Sequence, residues 1–176
     1  MSDLDEVDYA LSMGEKLLEL VSSCGKTVRG FRSRAREVPQ MIQQLGLIPS
    51  LTFLLSKIDD KLLLPAIRYF VKGEEISEKD KLCEEVEKDG YTSYLVISFA
   101  WIKLKLGKKK FSEECENAGP NNVVNCIKKD YISTLKTLKN DNNLLPIIED
   151  SVLNLSIELK KVVDGIYGGE GDRRGS

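Results

Sequence analysis

Histidine is absent from all 176 residues. Its absence removes the commonest general base, the Ser–His and Cys–His nucleophile pairs, and every metal site of the H-E-x-x-H type. Cysteine is scarce: Cys24, Cys83, Cys115 and Cys126 stand alone, with no C-x-x-C pair. Without histidine to complete a zinc site they read as small buried hydrophobes, and a disulfide is the alternative for a thermophilic source. No G-x-x-x-x-G-K-[ST] occurs, and the tail glycines neither follow a strand nor open a helix, so a phosphate loop is excluded. The adjacent acids Asp59–Asp60 and Glu84–Glu85 point in different directions on a helix and read as solvating groups rather than Mg²⁺ ligands. No run approaches the ~18 uncharged apolar residues of a membrane span, and the start (Asp3, Asp5, Glu6, Asp8) is acidic, the opposite of a signal-peptide n-region. These gaps predict a cytoplasmic protein that is not an enzyme, with no cofactor, no metal, no small-molecule substrate and no membrane contact.

What remains is a globular composition. A hydrophobic fraction of 41% beside 31% charged residues supports a packed core, so the chain is expected to fold without help. The net charge of −2 argues against a generally cationic coat, but the charges are segregated. Lys26 to Arg36 (KTVRGFRSRAR) holds five basic residues and no acid, and so does Lys103 to Lys110 (KLKLGKKK).

No segment alternates with period two, while period 3.6 recurs from end to end. Leu4, Val7, Leu11, Leu18 and Val21 predict a first helix over 4–23, stopped at Gly25. Val28, Phe31, Ala35, Val38, Ile42 and Leu45 predict a second, ended by Gly46 and either kinked or restarted at Pro39. A third opens near Pro49, and a short fourth lies between Lys61 and Val71. A weak capping box, Ser77 with Asp80, would begin a fifth to about Asp89; a sixth over 91–106 either follows it or is continuous with it. Residues 111–122 (FSEECENAGPNN) read as a linker. Val124 to Leu138 form a seventh helix. Leu145, Ile148, Val152, Leu155, Leu159, Val162 and Ile166 give the last a narrow apolar stripe suited to helix packing. The expectation is an all-α compact bundle of about six to eight helices in a single domain, residues 1–167, with a disordered tail over 168–176.

Lys26, Arg29, Arg32 and Arg36 fall on one face of the second helix, roughly opposite its apolar residues. Such a stripe can contact successive phosphates of a nucleic-acid backbone without reading bases. It can equally be a solvated face or meet an acidic partner. For Lys108, Lys109 and Lys110 the dipole of the preceding helix end is sufficient reason for the charge. Tyr91, Tyr94, Phe99 and Trp101 sit in the apolar pattern and read as core rather than as base-stacking groups.

The stretch FRSRAREVPQMIQQLGLIPSLTFLLSK, residues 31–57, resembles the signature of the small α-helical subunit of type III-B CRISPR effector (Cmr RNA-silencing) complexes. The resemblance is carried by Phe31, Arg36, Pro39, Met41, Ile42, Gly46, Leu47, Leu51, Phe53, Leu54, Leu55 and Lys57. A second match, LNLSIELKKVVDGIYG, contains the basic pair Lys160–Lys161. Pro49 and the long stretch between Lys57 and Tyr91 depart from the pattern. The resemblance implies a noncatalytic subunit, stacked in several copies with other Cmr subunits, that supports a guide/target RNA duplex. Base pairing would read the sequence in such a complex, leaving the protein only backbone contacts to make. On that implication Arg29, Arg32, Arg36, Lys57, Lys160 and Lys161 touch RNA phosphates, with Arg34 and Lys108 to Lys110 as weaker candidates. The competing reading is a helical protein–protein scaffold with no RNA contact.

Overall fold

The computed structural model describes residues 4–174, and side chains up to Tyr167. Every regular element among the described residues is helical: α1 (Glu6–Cys24), α2 (Arg29–Leu45), α3 (Leu47–Leu55), α4 (Asp60–Ala66), α5 (Lys79–Lys88), α6 (Tyr91–Lys105), α7 (Glu113–Glu116), α8 (Val123–Lys139) and α9 (Leu144–Arg174). Residues Ile67–Val71 extend α4 as a π-helical turn. The tail expected to be disordered falls on residues whose side chains lie outside the described set.

The fifteen residues of α6 include twelve buried ones, so this helix is apolar all round and forms the centre of the bundle. α2, α3, α4, α5 and α9 all pack on it. Tyr94, Phe99 and Trp101 are fully buried there, as the apolar pattern predicts, whereas Tyr91 stays at the rim. The long α9 lies against both α1 and α2, and Ile148, Val152, Leu155, Leu159 and Val163 form its inner stripe.

Two local expectations change, and the choice left open at Pro39 narrows. The inward face of α1 is Tyr9, Ala10, Met13, Leu17, Leu20 and Val21, while Val7, Leu11 and Leu18 are about half exposed. Both sets step at helical spacing; α9 selects the first because Gly14 lies within it, and any Cβ there would overlap Val162. α2 runs through Pro39 without restarting. The capping box at Ser77 does not form: α5 begins at Lys79 with no side-chain cap.

The cysteines are a further correction. All four are bonded, Cys24 to Cys83 and Cys115 to Cys126. The first bridge ties α1 to α5, and the second closes the 111–122 segment, read as a linker, onto α8, with α7 inside it. Burial of Cys83 and Cys115 agrees with the hydrophobe reading; their pairing does not.

Candidate nucleic-acid interface

The cationic stripe starts where α2 meets the α5–α6 corner. Gly30 packs onto the backbone of Lys88 and Asp89, and Gly90, at φ 72°, packs onto the backbone of Phe31. No Cβ fits at either position, so the first turn of α2 is held against the corner and its arginines have a defined outward direction. The same Gly90 separates α5 from α6, which makes them two helices rather than one.

Arg32 and Arg36 lie one turn apart on α2 and converge on a single acid of α9. Arg32 Nε donates to Asp164 Oδ1 at 2.9 Å and Arg36 Nε to the same oxygen at 3.2 Å. Arg32 also lies 4.6 Å over the Tyr167 ring and is mostly covered, while Arg36 is about half exposed. Asp164 follows Lys160 by four residues and Lys161 by three, which places both lysines on that side of α9. Both are exposed, and Lys161 pairs with Glu158 at 3.1 Å. Arg29 is exposed at the start of α2 and, among the described residues, neither it nor Lys160 has an acid within 4 Å. Thus five of the six candidates, Arg29, Arg32, Arg36, Lys160 and Lys161, belong to two helices in direct contact.

Lys57 is elsewhere. It follows α3 and sits 5.6 Å over the Phe53 ring. Phe53 in turn meets Tyr91 edge-on at 6.2 Å, and Arg34 lies 4.2 Å over Tyr91 while holding Glu37 at 2.9 Å. Arg34 and Lys57 therefore frame a second, cation–aromatic surface across α2, α6 and α3. The lysines of 103–110 disperse: Lys103 is buried against Asp130, Lys105 lies 4.4 Å over Trp101, Lys109 pairs with Glu113 and Lys110 faces Tyr9. They do not form one patch.

Glu85, read as a solvating acid, is 6% exposed. Its Oε1 accepts from both the Ser93 backbone N–H at 3.0 Å and the Ser93 hydroxyl at 2.6 Å, so it caps the first turn of α6 from α5. Burial pushes its carboxyl up to about 7; the Ser93 bonds oppose the rise and the nearby Asp89 adds to it. The acidic partner Asp164 also escaped notice. It stands 128 residues from Arg36, and no periodicity within one helix reports a partner on another.

No described helix is long and apolar enough to cross a membrane, and no described group of three or more acids or cysteines could hold a metal ion. No curated protein and no solved structure matches the chain significantly. A family model described as CRISPR-associated protein (Cas_Cmr5) matches residues 10–115, more than half of the chain, including α2, α3, Arg29, Arg32, Arg36 and Lys57. This helical protein, with its basic α2 held against the α5–α6 corner, belongs to the Cas_Cmr5 family of CRISPR-associated proteins.

Proposed function

We propose that this chain is a noncatalytic small subunit of a cytoplasmic type III-B (Cmr) ribonucleoprotein complex. In it the α2/α9 face supports the guide/target RNA duplex, and other Cmr subunits, including further copies of the chain, are the protein partners. The observation that carries the RNA contact is the convergence of Arg29, Arg36, Lys160 and Lys161 on two adjoining helices, all exposed. Asp164 orients Arg36 through Nε and leaves its terminal nitrogens for phosphate, whereas Arg32 is the anchor of the pair. Contacts of this kind position a duplex and carry no base information. Lys57 makes a separate contact outside this surface, from the Phe53–Tyr91 side.

The test is RNA affinity against salt for the wild type and for Arg36→Ala with Lys160→Ala and Lys161→Ala. Loss of three phosphate contacts should reduce the slope of log K against log salt by roughly 2 to 3. An unchanged slope would remove the α2/α9 face from RNA binding. It would favour the protein-only scaffold, a reading that has its own support in the neutralisation of Arg32 by Asp164 and the exposed apolar Val7, Leu11 and Leu18 of α1.

A further inference from the structure

The outward face of α1 carries two rows. Val7, Leu11 and Leu18 form the first and are 45%, 55% and 47% exposed. The helical position between Leu11 and Leu18 is Gly14, where the missing side chain leaves Val162 of α9 as the floor, with Ile166 beside it. Val162 and Ile166 are themselves only partly buried, so the apolar strip continues from α1 onto α9. It contains a notch two turns long, about 10 Å. The second row, Asp8, Ser12, Glu15 and Glu19, runs one position further round the helix and is exposed throughout. Among the described residues none of these acids has a base within 4 Å. Lys16, the one base of α1, is turned away and donates to the Phe70 carbonyl at 3.1 Å. An exposed apolar strip with a charged border is the anatomy of a contact surface.

The reverse arrangement stands on α8. Lys129, Ile132, Lys136 and Lys139 step by three, four and three along one exposed face, and Ile132 is 48% exposed among the lysines. No free acid shares that face: Asp130 is held by the buried Lys103, and Asp60 reaches only Lys128 at the edge, at 2.7 Å. Lys129, Lys136 and Lys139 have no acid within 4 Å among the described residues. A single apolar side chain set among lysines is the complement of an apolar notch bordered by acids. The α2/α9 face is basic too, but no exposed large apolar side chain lies between Arg29 and Arg36 or beside Lys160 and Lys161. Two α1 rows brought together would repel, which disfavours α1 against α1. We propose that α1 of one copy of this chain docks on α8 of another, Ile132 entering the notch between Leu11 and Leu18 while Lys129 and Lys136 meet the acidic row. This assigns a surface to the contact between copies, and it rests on the reading that further copies are partners.

Sedimentation velocity of the full chain at rising concentration should show self-association that weakens with salt, because the bordering charges are exposed. Asp8→Lys with Glu15→Lys, and separately Lys129→Glu with Lys136→Glu, should each weaken it at least about tenfold. All four positions are exposed, and circular dichroism confirms the fold of each variant. An equal mixture of the two variants should associate again, since each reversed face then meets its opposite; a chain with all four changes should do the same. Arg36→Ala with Lys160→Ala and Lys161→Ala should leave association unchanged, which separates this contact from the α2/α9 face. A monomeric wild type, either reversal without effect, or a mixture that stays monomeric would overturn the proposal. Association lost with the α2/α9 variant and kept with the α8 variant would overturn it in favour of α1 against the α2/α9 face. Recovery of an untagged copy with a tagged one from the native cell reads the partnership separately. Monomeric sedimentation together with such recovery overturns the α1–α8 contact alone, and no recovery of the untagged copy overturns the partnership of copies.

Discussion

Glu85 is a carboxyl that folding carries into the interior, where one oxygen caps α6 and the group lies beside the Asp89 carboxyl. Burial raises its pKa from an ordinary 4.5 to about 7, so between those values the folded state holds a proton that the unfolded chain has lost. Stability from this group is complete below about pH 4.5 and is lost as pH rises through about 7. Glu85→Gln keeps an acceptor for Ser93 and removes the titration. It should flatten the decline of stability between pH 5 and 8, measured by urea unfolding; an unaltered pH profile would refute the assignment. Gly90 makes a second prediction. Gly90→Ala places a Cβ against the Phe31 backbone at positive φ, so it should cost more than about 2 kcal/mol by the same measurement. A break between α5 and α6 was legible as one of two options in the sequence. That the break is also a contact with α2 was not, because Phe31 lies 59 positions away.

Among elements, α2 is the most readable. Val28, Phe31, Ala35, Val38 and Ile42 are all buried, and Arg29 and Arg36 point out, because one strong apolar stripe leaves a helix a single way to sit; only Leu45, in the last turn beside Gly46, departs from the expected face and is 60% exposed. α1 carries two apolar sets of comparable strength, and only the close approach of α9 at Gly14 chooses between them. The disulfides show the same boundary. Each cysteine's burial is a local tendency, but pairing needs two backbones brought within bonding distance by the fold, here 6.5 Å and 5.5 Å between Cα atoms. The bridges span 59 and 11 residues, and closing the longer loop restricts the unfolded chain more. Cys24→Ala with Cys83→Ala should therefore lower stability by about 4 kcal/mol and Cys115→Ala with Cys126→Ala by about 3. Calorimetric melting of the two variants checks the order, and a greater loss from the shorter bridge would contradict it.

For the whole molecule, membership in the Cas_Cmr5 family leads to a prediction about company rather than chemistry. Affinity purification from the native cell should recover the chain with other Cmr subunits and with guide RNA. Replacement of Arg36, Lys160 and Lys161 by alanine should keep the protein partners and reduce the RNA recovered. Loss of the protein partners with the RNA would point to an assembly surface instead.

The all-helical class, nearly all helix boundaries and the outward direction of Arg29 and Arg36 follow from the sequence by itself, because helical periodicity and glycine stops act over a few neighbouring residues. The resemblance carried by residues 31–57 agrees with the family match. Tertiary structure alone decided that Arg32 and Arg36 share Asp164, that Lys160 and Lys161 lie beside them and Lys57 does not, that the cysteines pair, and that Glu85 is buried. Each of these depends on how helices distant in the chain cross, and a crossing is set by the packing of whole surfaces, which no local pattern contains.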